Sequence, residues 1–137
     1  MGMAALDDVD ALIEEYHLAL GEFMKGNPEP AKALWSHRDD ATLTNPQGSA
    51  ARGWDEVAEA MERAASTRRD GGFLGFETLS KYATTDLAYV VELERLEAKV
   101  HGGEEISPYT LRVTMIFRPE ECEWKVVHRH ADQIIPA

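Results

Sequence analysis

The chain has 137 residues, 44% of them hydrophobic, and 25 acidic against 14 basic side chains give a formal charge of -11. That length suits a single domain spanning 1–137, burying roughly two-thirds of the unfolded chain's surface in one core. The charge repels a polyanion such as DNA, and no apolar run approaches the ~18 residues that cross a bilayer, so neither nucleic acid nor membrane is an expected partner.

The opening Met1-Gly2-Met3-Ala4-Ala5-Leu6 lacks the basic and apolar regions of a secretory signal, and a cytoplasmic location is expected. Val9, Leu12, Ile13, Tyr16, Leu20 and Phe23 recur at helical spacing, predicting a first helix over about 7–25, with Asp7 or Asp8 as cap and Gly26 as terminator. Asn27-Pro28 restarts the chain as a short second helix carrying Leu34 and Trp35 and ending before Asp39. Ala41 to Asn45 reads as a short strand and Pro46-Gln47-Gly48 as a turn. Trp54, Val57, Ala58, Met61 and Ala65 mark a third helix, stopped by Asp70-Gly71-Gly72.

Four strands follow, at about 73–83, 87–100, 104–118 and 123–134, meandering antiparallel. A hairpin at Gly102-Gly103 sets Glu92 opposite Val113 and Glu94 opposite Leu111. Taking Pro119 to Cys122 as the next loop sets Val113 opposite His128, Leu111 opposite His130 and Tyr109 opposite Asp132. One face then collects Ala88, Val90, Leu111, Val113, Met115, Phe117, Trp124 and Val126. Glu92, Glu94, His128, His130 and Asp132 sit within it, where buried ionisable groups cost several kcal/mol unless paired or used. The other face carries Tyr89, Val91, Leu93, Ile116 and Val127 among Thr110, Arg112, Thr114 and Arg129, apolar enough to suggest a homodimer packed through it.

The first helix, the segment Asp40 to Gly48, the Gly53-Trp54-Asp55-Glu56-Val57 opening of the third helix and the ending Trp124 to Asp132 together resemble the SnoaL-like branch of the nuclear transport factor 2-like superfamily. The resemblance implies an α+β cone, N-terminal helices in the concave face of a curved antiparallel sheet, with a pocket between helices and sheet and usually a dimer. Relatives include polyketide cyclases, ketosteroid isomerases, dehydratases, epoxide hydrolases and a kinase-associated oligomerising domain, so fold alone leaves the reaction open.

On the enzyme reading the protein is a cofactor-independent isomerase, cyclase or dehydratase acting on a ring-bearing carbonyl compound. His128 or Asp132 is then the base and Glu92 orients His128, while Tyr16 and Asn45 donate to an oxyanion. Trp35 and Trp54 wall an apolar pocket for a small hydrophobic or aromatic ligand, with Val113 and His130 on its sheet side. The bland alternatives are that His128 pairs with Glu92 structurally, that Tyr16, Trp35 and Trp54 are core, and that Asn45 is a turn residue. His17, beside the apolar stripe, is open to either role. A non-catalytic binder or homo-oligomerising association module is the competing function. His128, His130 and Glu92 could mimic a two-histidine, one-carboxylate metal triad, but His-x-His on a strand is a common pattern, and no metal is expected. No glycine-rich phosphate loop or zinc-spaced cysteine cluster is present, Cys122 being the single cysteine, so no cofactor is expected.

Overall fold

The computed structural model describes residues 2–135. Its elements are α1 (Gly2–Phe23), α2 (Glu29–Ala33), β1 (Thr42–Thr44), β2 (Ala51–Arg52), α3 (Trp54–Ala65), β3 (Arg68–Ala83), β4 (Ala88–Val100), β5 (Ser107–Glu120) and β6 (Glu123–Gln133). The strands make one curved sheet in the order β2-β1-β6-β5-β4-β3. All neighbours are antiparallel except β1 and β6, whose parallel pairing the sequence did not announce. The architecture is the expected α+β cone.

Helix α1 lays its stripe of Val9, Leu12, Ile13, Tyr16 and Leu20 into the core. It starts five residues before the expected cap and ends where expected: Gly26, at φ 96°, lets its N–H donate to Phe23 O and that of Asn27 to Glu22 O, satisfying the last carbonyls. Helix α2 is shorter than expected, and Trp35 lies beyond it, in a bridge to Val126. Helix α3 buries Val57, Met61 and Ala65, one per turn. Asp70-Gly71-Gly72 does not stop this helix. It lies inside β3 as a bulge against β4, where a Cβ on Gly71 would sit 1.9 Å from Glu97 O and the Gly71 N–H donates to Met24 O. This close approach ties the end of α1 to the start of β3.

Glu92 pairs with Val113 and Glu94 with Leu111, the expected register, but the turn is not the expected Gly102-Gly103 pair: it centres on His101-Gly102, at φ 51° and 78°, with the Gly103 N–H donating to Val100 O, and the ladder stops at Ala98 and Ser107. The register of β5 with β6 differs from expectation. The turn is Glu121-Cys122 alone, both residues at positive φ, which moves the pairing by two; a bulge between Ile116 and Phe117 then adds one residue, Val127, on β6. An odd slip exchanges faces. His128, His130 and Asp132 therefore lie opposite Ile116, Thr114 and Arg112 on the outer face, while Arg129 and Ala131, opposite Met115 and Val113, turn inward.

Candidate functional site

Two features occupy the space between α1 and the sheet: a buried chain of charged and polar side chains, and beside it an open cavity. The chain begins on α1 with His17, whose Nε2 lies 2.8 Å from Glu92 Oε2 and whose ring stacks on Phe73 and packs against Phe76 at 4.6 and 4.2 Å. Glu92 Oε1 has no hydrogen-bond partner among the described residues. Burial pushes the Glu92 carboxyl up to about 7, with the adjacent Glu94 carboxylate adding to the effect and His17 opposing it. Glu94 is the next link. Burial pushes its carboxyl up as well, but the charge and hydrogen bonds of Arg129 outweigh that and hold it below the usual range. Arg129 forks onto it, with NH2 donating to Oε1 at 2.7 Å and NH1 to Oε2 at 2.9 Å. The guanidinium lies 5.3 Å from the centre of the Tyr16 ring, and Trp35 Nε1–H donates to Tyr16 Oη at 3.1 Å. Burial raises the Tyr16 pKa, only partly offset by Arg129, so the phenol stays protonated at neutral pH. Among the described residues no acceptor takes its proton.

The cavity has a volume of about 300 Å³, at the lower end of the range for small-molecule sites. Leu20, Phe23 and Met24 of α1, Met61 and Ala64 of α3, and Leu43, Leu96 and Leu111 of the sheet form its apolar walls. Tyr16 and Arg129, the end of the buried chain, enter the same wall with Asn45 and Gln133. Arg63 of α3, Thr67 of the turn after it, His101 of the β4–β5 turn, and Arg68 and Tyr109 of the strands also line it, as does the segment from Pro46 to Ser49.

Of the residues singled out from sequence, Tyr16 and Asn45 line the cavity, and Glu92 is buried behind Glu94 and Arg129. Trp35 and Val113 are buried core, and Trp54 stacks on His37 at 3.9 Å, away from the cavity. His128 and Asp132 are not brought to Glu92. His128 Nδ1 lies 2.7 Å from Thr42 Oγ1, and burial, then the nearby His130, lowers its pKa. Asp132 accepts two hydrogen bonds from Arg112, at 2.9 and 3.0 Å, and His130 is exposed. The His128, His130 and Glu92 triad is split between opposite faces. His17, Glu92 and Glu94 do bring potential ligand atoms within 4.8 Å of one another, but both Glu94 oxygens are engaged by Arg129 and the guanidinium supplies the counter-charge. Arg129, expected on the outer face, is the site residue that the sequence did not point to. Its signal was indirect: a carboxylate in an apolar row at Glu94 demands a buried cation.

A family model for the SnoaL-like domain matches residues 9–136. No curated protein matches the chain in sequence. Among solved structures, a ketosteroid isomerase-like protein from Erwinia carotovora atroseptica is 22% identical with a TM-score of 0.77, over 96% of this chain and 97% of that one. An NTF2-like superfamily protein from Salmonella enterica serovar Typhimurium is 15% identical with a TM-score of 0.81, over 98% and 94%. A protein from Thiobacillus denitrificans, proposed to be a calcium/calmodulin-dependent protein kinase type II association domain, is 19% identical with a TM-score of 0.73, over 92% and 94%. At these identities the likeness is one of fold.

Proposed function

The chain belongs to the SnoaL-like domain family, and from that premise we propose that it binds a small ring-bearing carbonyl compound in the cavity between α1, α3 and the sheet. The observation that carries this reading is the convergence of apolar walls on Tyr16, whose phenol proton has no acceptor among the described residues, and on Arg129, which Glu94 fixes in place. A bound ring packs against Leu20, Met61, Leu96 and Leu111, and its oxygen accepts from Tyr16. Donors held in a low-dielectric pocket also stabilise an oxyanion as it forms, so the reading extends to cofactor-independent isomerase, cyclase or dehydratase chemistry. Its base is then not His128 or Asp132, and no carboxylate lines the cavity among the described residues. His101, at the β4–β5 turn, is the imidazole that does.

A thermal-shift screen against aromatic and alicyclic carbonyl compounds tests the binding reading, with Ala64→Trp filling the cavity as a control. Ligand at a hundred times its Kd adds about 2.7 kcal/mol of stability, which the variant should lose. Stabilisation that persists in Ala64→Trp would place the ligand elsewhere. For catalysis, deuterium exchange next to the carbonyl of a hit should fall in Tyr16→Phe; with no exchange in the wild type, binding alone remains.

The competing reading, an association module, draws on the outer face. Tyr82, Tyr89, Val91, Leu93 and Ile116 share it, and Tyr82 is 59% exposed. We propose that a second copy packs here, a homodimer compatible with ligand binding on the opposite face.

A further inference from the structure

The cavity's charge is opposite to that of the protein around it. Of 137 residues 25 are acidic, yet among the described residues none that lines the cavity is, and three arginines do. Two of these already face a carboxylate: Arg129 in a buried pair with Glu94 at 2.7 Å, and Arg63 in an exposed surface pair with Glu59 at 2.9 Å. Arg68 is different. Among the described residues it has no carboxylate within ion-pair distance. Its contacts are neutral: NH1 donates to Thr67 Oγ1 at 2.6 Å and Nε to Tyr109 Oη at 3.3 Å, with the guanidinium 5.8 Å from the centre of the Tyr109 ring. Tyr109 is in turn held by donating to Met24 Sδ at 3.1 Å. NH2 of Arg68 has no acceptor among the described residues. A half-buried guanidinium, oriented by neutral partners and left without a counter-ion, is arranged to receive one.

Resting on the small-molecule reading above, we infer that the natural ligand is a ring-bearing monocarboxylate whose carboxylate is held by Arg68. One free guanidinium balances one charge, which favours a carboxylate over a phosphate dianion. The apolar walls take the ring, and the carboxylate replaces the missing counter-ion. Outside the cavity the surface potential of the chain repels anions, so recognition depends on Arg68, which among the described residues has no counter-ion.

The test compares 2-naphthoate with its neutral isostere 2-naphthamide by calorimetric titration of the wild type, Arg68→Gln and Arg68→Lys. The wild type should bind the carboxylate at least about tenfold more tightly, as loss of a charge-assisted hydrogen bond implies. Arg68→Gln should abolish that preference while keeping affinity for the amide, and Arg68→Lys should keep part of it. Equal binding of both compounds to the wild type would overturn the anion inference and leave the cavity reading standing. A carboxylate preference unchanged in Arg68→Gln would overturn Arg68 as its seat. If neither compound binds and the carbonyl library also gives no cavity ligand, both readings fall together.

Discussion

Replacing Glu92 by glutamine should change how stability depends on pH, and in a direction fixed by the sign of its pKa. The Glu92 carboxyl rises from an ordinary 4.5 to about 7 in the folded chain, chiefly because it is buried. The folded state therefore binds more protons than the unfolded state between those values. This contribution to stability is complete below 4.5 and is lost as pH climbs through about 7. The gap corresponds to about 3 kcal/mol, an order-of-magnitude figure for a group tied to His17 and Glu94. Urea unfolding at pH 5, 6, 7 and 8 reads it directly. His128, lowered by burial, acts in the opposite sense, gaining stability as pH rises, so the quantity to follow is the difference between wild type and variant. The wild type should lose about 2.5 kcal/mol relative to Glu92→Gln between pH 5 and 8, the part of the gap this range samples, with unchanged denaturant slopes. Parallel curves for the two proteins would refute the assignment of a protonated carboxyl to this position.

Arg129→Met alone should cost about 3–5 kcal/mol in urea unfolding, because it strands Glu94 as a buried charge, whereas adding Glu94→Gln should recover most of the loss. Additive losses in the double variant would mean that the two side chains are not coupled. His128→Ala and Asp132→Asn should each leave ligand affinity unchanged and alter stability by less than about 1 kcal/mol, since they sit on the outer face in exposed or half-buried pairs; a lost thermal shift in either would return the site to the histidine row. Val91→Asp with Ile116→Asp should halve the mass measured by light scattering if the outer face joins two copies, and an unaltered dimer mass would move the interface elsewhere.

The sequence made the fold legible where patterns are local. The α1 stripe and the Gly26 stop follow from spacing and from a glycine that supplies positive φ, and the β4–β5 register came out as expected although its turn forms one residue earlier, at His101-Gly102. The β5–β6 pairing was not legible, because its turn uses Glu121 and Cys122 at φ 49° and 72°, residues that carry no turn signal. The bulge at Val127 then reversed the faces. That single inserted residue separates a histidine-lined pocket from one ending in Arg129. Glu92 and Glu94 could be placed as buried from the alternation of β4, but their partners could not: His17 lies 75 positions away and Arg129 35 positions away, contacts that only the assembled cone defines. Tyr16 lines the cavity and is also buried core, a double placement that the sequence shows only in part, since the same helical stripe predicts core.

We propose that ligand enters the cavity ending at Tyr16 and Arg129 rather than meeting the row of His128, His130 and Asp132. Methyl and amide NMR spectra recorded during titration with 2-naphthoate test it most directly. Leu20, Met61, Leu96 and Leu111 should shift together with the Tyr16 amide while His128, His130 and Asp132 stay still. Shifts confined to those three residues and their outer-face neighbours, with the cavity methyls unmoved, would contradict it.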